Sequence, residues 1–123
     1  MSRVLVVDGA NVVGSRPDGW WKDRAGAARR LHDRLLRADL PYDEVVLVLE
    51  GKAKAGVPRG TDLDVRTVHA VRDGDSEIVR LAQAASEAGR RCTVVTADRV
   101  LAGLVGARGA LVMGPSWLLD QLG

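Results

Sequence analysis

Short apolar runs alternate with segments of helical spacing along this chain, and almost every run closes on an acidic residue. Val4-Leu5-Val6-Val7 ends at Asp8-Gly9, and Val45 to Leu49 ends at Glu50-Gly51. A weaker run, Val65 to Val71, is followed by Asp73 and Asp75. Thr93 to Thr96 is followed by Asp98, and Ala110 to Met113 is the last run. Strands alternating with helix-length segments predict βαβ units, hence a parallel sheet with helices on both faces. The first, second and fourth runs are continuously apolar, as strands buried on both sides should be. The expected fold is a compact three-layer α/β domain, residues 1–123 forming one unit. Its sheet should be mainly parallel, with about four to five strands.

The helical segments fill the gaps. Asp23 to Ala38 places Ala28, Leu31 and Leu35 on one face and stops before Pro41. Asp75 to Ala88 does the same with Ile78, Leu81, Ala82 and Ala85, and Gly89 suits the position after a helix end. A short helix is expected from Arg99 to Val105, and a closing one from Pro115 to Leu122 with proline in its first turn. Residues 14–19 and 52–61, which contain Gly and Pro, read as loops.

Composition narrows the class. Hydrophobic residues make up 46% of the 123, enough for a packed core and too many for a disordered chain. The net charge of +2 results from 18 basic and 16 acidic side chains, so placement matters more than the sum. Cys92 is the sole cysteine, which excludes a disulfide framework and a Cys-based metal site; it is expected to be buried and inert. No apolar stretch approaches the ~20 residues of a membrane span. Met1-Ser2-Arg3 leads directly into a strand, so no signal peptide is expected, the expected location is the cytoplasm, and no membrane partner is expected.

In a parallel sheet the strand ends carrying Asp8, Glu50, Asp73, Asp75 and Asp98 lie on one side, where open α/β sheets bind their ligands. Carboxylates brought together repel unless protonated or neutralised by a cation. Mg²⁺ or Mn²⁺ fits, because hard cations take oxygen ligands. A metal held there can polarise a phosphoryl group and generate hydroxide, which is the chemistry of phosphodiester hydrolysis. Each acid also has a plainer reading. Asp73, Asp75 or Asp98 can cap the helix it precedes, and Glu50 can be solvated. Asp8, at the end of a core strand with no cation beside it in sequence, is the hardest to explain so. His32 and His69 are expected to serve packing or surface roles.

Asp8-Gly9-Ala10-Asn11-Val12, with Ser15-Arg16-Pro17-Asp18-Gly19-Trp20-Trp21-Lys22-Asp23-Arg24 after it, resembles the NYN family of PIN-like nucleases. Thr96-Ala97-Asp98-Arg99 matches the family's later Thr/Ser-x-Asp element, and Asp75-x-x-Ile78 its central acidic helix start. The resemblance covers nearly the whole chain. It implies a PIN-like, Rossmann-like domain and a metal-dependent ribonuclease, as in bacterial ribosome-associated endonucleases and regnase ribonuclease domains. It also implies Asp8, Asp75 and Asp98 as the metal-binding core, with Asn11 orienting the site or the scissile phosphate. Many relatives carry two adjacent acids at the central helix start, whereas here Ser76 follows Asp75. Asp73 or Glu77 would supply the second carboxylate, which leaves the number of ions open.

RNA needs cations as well as a metal site. Arg16, Lys22 and Arg24 follow the first strand, Lys52, Lys54 and Arg59 the second, and Arg72 and Arg99 flank the acids. Trp20 and Trp21 can stack on unpaired bases, although one of the pair is expected to anchor its loop. The leading expectation is a Mg²⁺- or Mn²⁺-dependent endoribonuclease acting on single-stranded mRNA, tRNA or ribosome-associated RNA. The ribosome or a partner protein would target it, and the sequence leaves room for a homodimer. The alternatives are a toxin-like PIN ribonuclease with an antitoxin and a catalytically inactive RNA- or nucleotide-binding module of the same fold.

Overall fold

The computed structural model describes residues 2–123. Its sheet has six strands in the order β3-β4-β2-β1-β5-β6. These are β1 (Arg3–Asp8), β2 (Glu44–Leu49), β3 (Gly60–Asp62), β4 (Val65–His69), β5 (Arg91–Val95) and β6 (Leu111–Met113). All pair in parallel except β3, which runs antiparallel to β4. The helices are α1 (Gly9–Gly14), α2 (Arg24–Arg37), α3 (Gly74–Glu87), α4 (Arg99–Gly106) and α5 (Pro115–Leu122). Short 3₁₀ turns span Trp20–Lys22 and Gly51–Gly56.

The three-layer reading holds because the strands are apolar on both sides. Leu5, Val7, Val45, Leu47, Leu49 and Val65 pack with Ala28, Leu31 and Leu35 of α2 and with Leu118 and Leu119 of α5. Val4, Val6, Val46, Val48 and Val94 pack on the opposite face with Ile78, Leu81, Ala82 and Ala85 of α3 and Leu101 and Val105 of α4. A side chain such as Leu47, wholly buried, contributes about 1.5–3 kcal/mol by leaving water. Cys92 belongs to the second cluster, and burial pushes its thiol up to about 11, so it is an inert core residue.

Two segments differ from the sequence expectation. The residues after Asp8 form α1 rather than passing straight into a loop. The Asp8 side chain accepts from the Asn11 N–H and so caps that helix. Gly9 permits it: a Cβ there would come within 2.6 Å of the Val48 carbonyl oxygen, so only glycine lets α1 start against the end of β2. Residues 52–61, expected as a loop, instead hold the rest of the 3₁₀ turn and the start of β3. This short edge strand is fully exposed and lacks an apolar pattern, which hid it and brought the sheet to six strands.

Strand order places the site. The chain moves outward from β1 to β2 and β4, then returns to lay β5 on the other side of β1. The direction of winding reverses between β1 and β5, and the crevice beyond their carboxyl ends is where such sheets bind ligands. Asp8 ends β1, and Thr96 and Asp98 follow β5.

Candidate functional site

Asp8 is 3% exposed and its carboxylate is almost fully engaged. Its Oδ2 accepts from Asn11 Nδ2 at 2.7 Å and from Thr96 Oγ1 at 2.9 Å. Among the described residues its Oδ1 accepts only the Asn11 N–H, at 3.3 Å. The Asp98 N–H donates to Thr96 Oγ1 at 3.1 Å, so a continuous chain of hydrogen bonds ties the end of β1 to the loop after β5. Thr96 stands outside the acid pattern of the sequence, yet it is the buried link between the two strand ends. Its one visible signal is its place in Thr96-Ala97-Asp98. Asn11 spends its side-chain amide on Asp8, so in this structure it positions that carboxylate.

The capping readings divide the remaining acids. Asp73, not Asp75, is the N-cap of α3, accepting from Ser76 N–H at 2.7 Å and Ser76 Oγ at 3.1 Å, and these bonds hold its carboxyl below the usual range. Asp98 caps α4 through Oδ1, which accepts from Val100 and Leu101 N–H groups at 2.9 and 3.0 Å. Among the described residues no hydrogen bond reaches its Oδ2. Glu77 pairs with Arg80 one turn along α3. Asp75 and Glu50 have neither a hydrogen-bond nor an ion-pair partner among the described residues. Glu50 lies against the start of α3, since a Cβ on Gly74 would sit 3.0 Å from Glu50 Oε1.

Asp75 reports how these charges meet. Partial desolvation, and then the negative charges of Asp98, Asp8, Glu50 and Asp73 in that order, raise its carboxyl above the ordinary value of 3.8. Residues from four strand ends therefore share one electrostatic neighbourhood. Its folded-state pKa exceeds the unfolded one, so the stability it contributes is present below the unfolded pKa and is lost as pH rises through the folded pKa. At pH 7 the ionised group opposes folding. Asp75→Asn is accordingly expected to raise the melting temperature in chelator at pH 7, with the advantage shrinking as pH falls toward 3.8. Equal melting of the two proteins at pH 7 would show that the acids do not strain one another.

The donor chemistry suits a hard divalent ion. Asp75, Asp98 Oδ2, Glu50 and the lightly used Asp8 Oδ1 are all carboxylate oxygens, and no cation is among the charges acting on Asp75. Among the described residues no three His, Cys, Asp or Glu side chains form a ready-made cage. Mg²⁺ does not require one: it usually takes one or two carboxylates and fills its sphere with water and substrate phosphate.

Beside the acids lies a cleft of about 360 Å³, lined by Gly9, Ala10, Val13, Trp20, Arg24, Ala28, Leu49, Glu50, Gly51 and Ala53. The Arg24 guanidinium lies over the Trp20 ring at 5.1 Å, and Trp21 meets that ring edge-on at 5.9 Å. Trp20 is half-buried and Trp21 is 51% exposed, so neither is a core anchor. Lys22 closes their 3₁₀ turn, Lys52 and Lys54 lie on the second turn, and Arg99 opens α4 beside Asp98. Arg16 stands apart, in a depression with Arg30 and Arg34 along α2. His69 Nε2 is 2.7 Å from the Val57 carbonyl oxygen, a packing role.

The family described as the YacP-like NYN domain matches residues 5–123. The chain belongs to the YacP-like NYN domain family. This membership supports a nuclease-type function for the NYN domain. No curated protein matches the chain. Among solved structures, Rae1 (YacP) from Bacillus subtilis is similar with a TM-score of 0.77 and 23% identity, over 97% of this chain and 72% of that one. A tryptophan-to-leucine mutant of that protein matches with a TM-score of 0.74 and 22% identity, over 98% of this chain and 74% of that one. At such identity the likeness speaks to fold, and it agrees with the six-stranded, mostly parallel sheet of this NYN domain. No helix among the described residues is long and apolar enough to cross a membrane.

Proposed function

We propose that this NYN domain is a metal-dependent endoribonuclease that hydrolyses single-stranded RNA, whether mRNA, tRNA or RNA on the ribosome. The observation that carries the reading is the convergence of Asp8, Glu50, Asp75 and Asp98 from separate strand ends at the switch point of the sheet. Asp75 and Asp98 Oδ2 would hold Mg²⁺ or Mn²⁺, with Asp8 Oδ1 and Glu50 within the same neighbourhood. When bound, the ion would supply Lewis-acid polarisation of the phosphate and a water acidic enough to attack it. Asn11 and Thr96 hold Asp8 in a single orientation, which keeps the ligand set from reorganising as charge develops. Asp73 caps α3 and Glu77 pairs with Arg80, and this reading assigns neither the place of the second adjacent acid. Lys22, Arg24, Lys52, Lys54 and Arg99 would draw in the phosphate backbone, and binding should weaken with salt.

The test is labelled single-stranded RNA incubated with the protein in Mg²⁺, in Mn²⁺ and in chelator. Internal cleavage with either metal and none in chelator is the expected result. Cleavage unaffected by chelator would remove the metal from the mechanism. RNA binding without cleavage in any condition would leave a binding module of the same fold.

A further inference from the structure

We propose that the cleft between α1, Trp20 and the Gly51–Gly56 turn seats one unpaired nucleobase of the RNA, the phosphate of that nucleotide lying against the acids. The inference rests on the ribonuclease reading and adds where and how the substrate is gripped.

The lining of the cleft is largely apolar, Ala10, Ala28, Leu49 and Ala53 among it. Its wall is the Trp20 ring, held between the Arg24 guanidinium on a face and the Trp21 ring at 89°. A ring clamped by two neighbours loses little freedom when something stacks beside it, which favours binding. At about 360 Å³ the cleft lies near the lower end of ligand pockets and has room for a single nucleobase. Its surroundings are cationic: Arg24 lines it, and Lys52 and Lys54 flank Ala53 in sequence. An apolar slot with an aromatic wall inside a basic rim complements a base on a phosphodiester chain better than a neutral apolar side chain.

The cleft is also continuous with the acidic edge. Glu50 lines it, and the carboxylate of Glu50 rests against Gly74, the residue before Asp75. A base in the slot therefore delivers its own phosphate toward Asp75 and Asp98. A paired base cannot enter without leaving its stack, and the cost of extracting it selects single-stranded substrate.

The experiment uses filling variants and abasic RNA together. Ala53→Leu narrows the slot while replacing neither an acid nor a cation, and Ala10→Leu does so from α1. Each folded variant is expected to lower kcat/KM on single-stranded RNA in Mg²⁺ on the order of tenfold, mainly through KM. An RNA scanned with one abasic nucleotide should show a similar loss at a single position next to the cut in the wild type. That abasic RNA should show no further loss in the filled variants, since the missing base and the blocked slot remove the same contact. Unchanged KM in folded variants, or an abasic scan flat across all positions, would overturn the base seat while cleavage of intact RNA leaves the ribonuclease reading standing. No cleavage of intact RNA by wild type would overturn both.

Discussion

Asp98→Asn is expected to give a folded, RNA-binding protein that no longer cleaves. The two carboxylate oxygens of Asp98 have different duties. Oδ1 accepts from Val100 and Leu101 N–H groups and caps α4, whereas Oδ2 has no donor among the described residues, and the carboxylate's charge acts on Asp75. An asparagine keeps an oxygen for the cap, and Asn caps helices about as well as Asp. It replaces the free oxygen by an amide NH₂, which cannot ligate a cation. Melting in chelator should be unchanged or slightly higher, because one of the charges that raises the Asp75 carboxyl is removed. Cleavage in Mg²⁺ should fall by roughly a hundredfold to a thousandfold, the usual cost of removing one group that stabilises transition-state charge. Binding of uncleaved RNA in chelator, which depends on the basic rim and Trp20, should persist. Near wild-type cleavage by the variant would remove Asp98 from the mechanism and reduce it to a cap.

Asp8→Ala is expected to have the largest effect on stability of any single change at the site. The carboxylate is 3% exposed and takes three hydrogen bonds, one of them also the N-cap of α1. Alanine loses the cap, at about 0.5–2 kcal/mol. It also leaves the buried Thr96 hydroxyl and the Asn11 amide without their acceptor, at about 1–3 kcal/mol for an unsatisfied buried group. A total near 3 kcal/mol corresponds to roughly 10 °C of melting temperature for a domain of this size. Asp8→Asn, which keeps the shape and one oxygen, should melt much closer to wild type yet cleave poorly, because Oδ1 or its charge is gone. Thermal melts in chelator and cleavage rates in Mg²⁺ read the two effects separately. An Asp8→Ala protein that melts with wild type would show that the Asn11–Asp8–Thr96 chain does not hold the site.

What the sequence determined by itself is whatever neighbours along the chain decide. The apolar runs became strands because their residues suit burial on both faces, and α2 and α3 follow the spacing of Leu31 and Leu35 and of Ile78, Leu81, Ala82 and Ala85. Asp23 and Asp98 cap helices through N–H groups no more than three residues away, and the closing helix begins at Pro115 for an equally local reason. That the strand ends share one side followed from parallel pairing alone. α1 escaped because it is short, glycine-bounded and capped by a residue that reads as a strand end. β3 escaped because an exposed edge strand carries no apolar period.

Tertiary structure decided everything that depends on which distant residues meet. Thr96 reaches Asp8 across 88 positions, and its place in Thr96-Ala97-Asp98 does not say which residue it meets. Local sequence left Asp73 and Asp75 equal as caps; the backbone gave the cap to Asp73 and left Asp75 free among the other acids. Glu77 pairs with Arg80 one turn along α3. The cleft exists because residues far apart in sequence line it together: Gly9 and Ala10 of α1, Gly51 and Ala53 of the second turn, and Trp20 with Arg24 over its ring. Capping and periodicity are short-range and favour one local conformation almost wherever they occur. Which carboxylate keeps a free oxygen, and what stands opposite it, is fixed only when sheet order brings the strand ends within reach of one another.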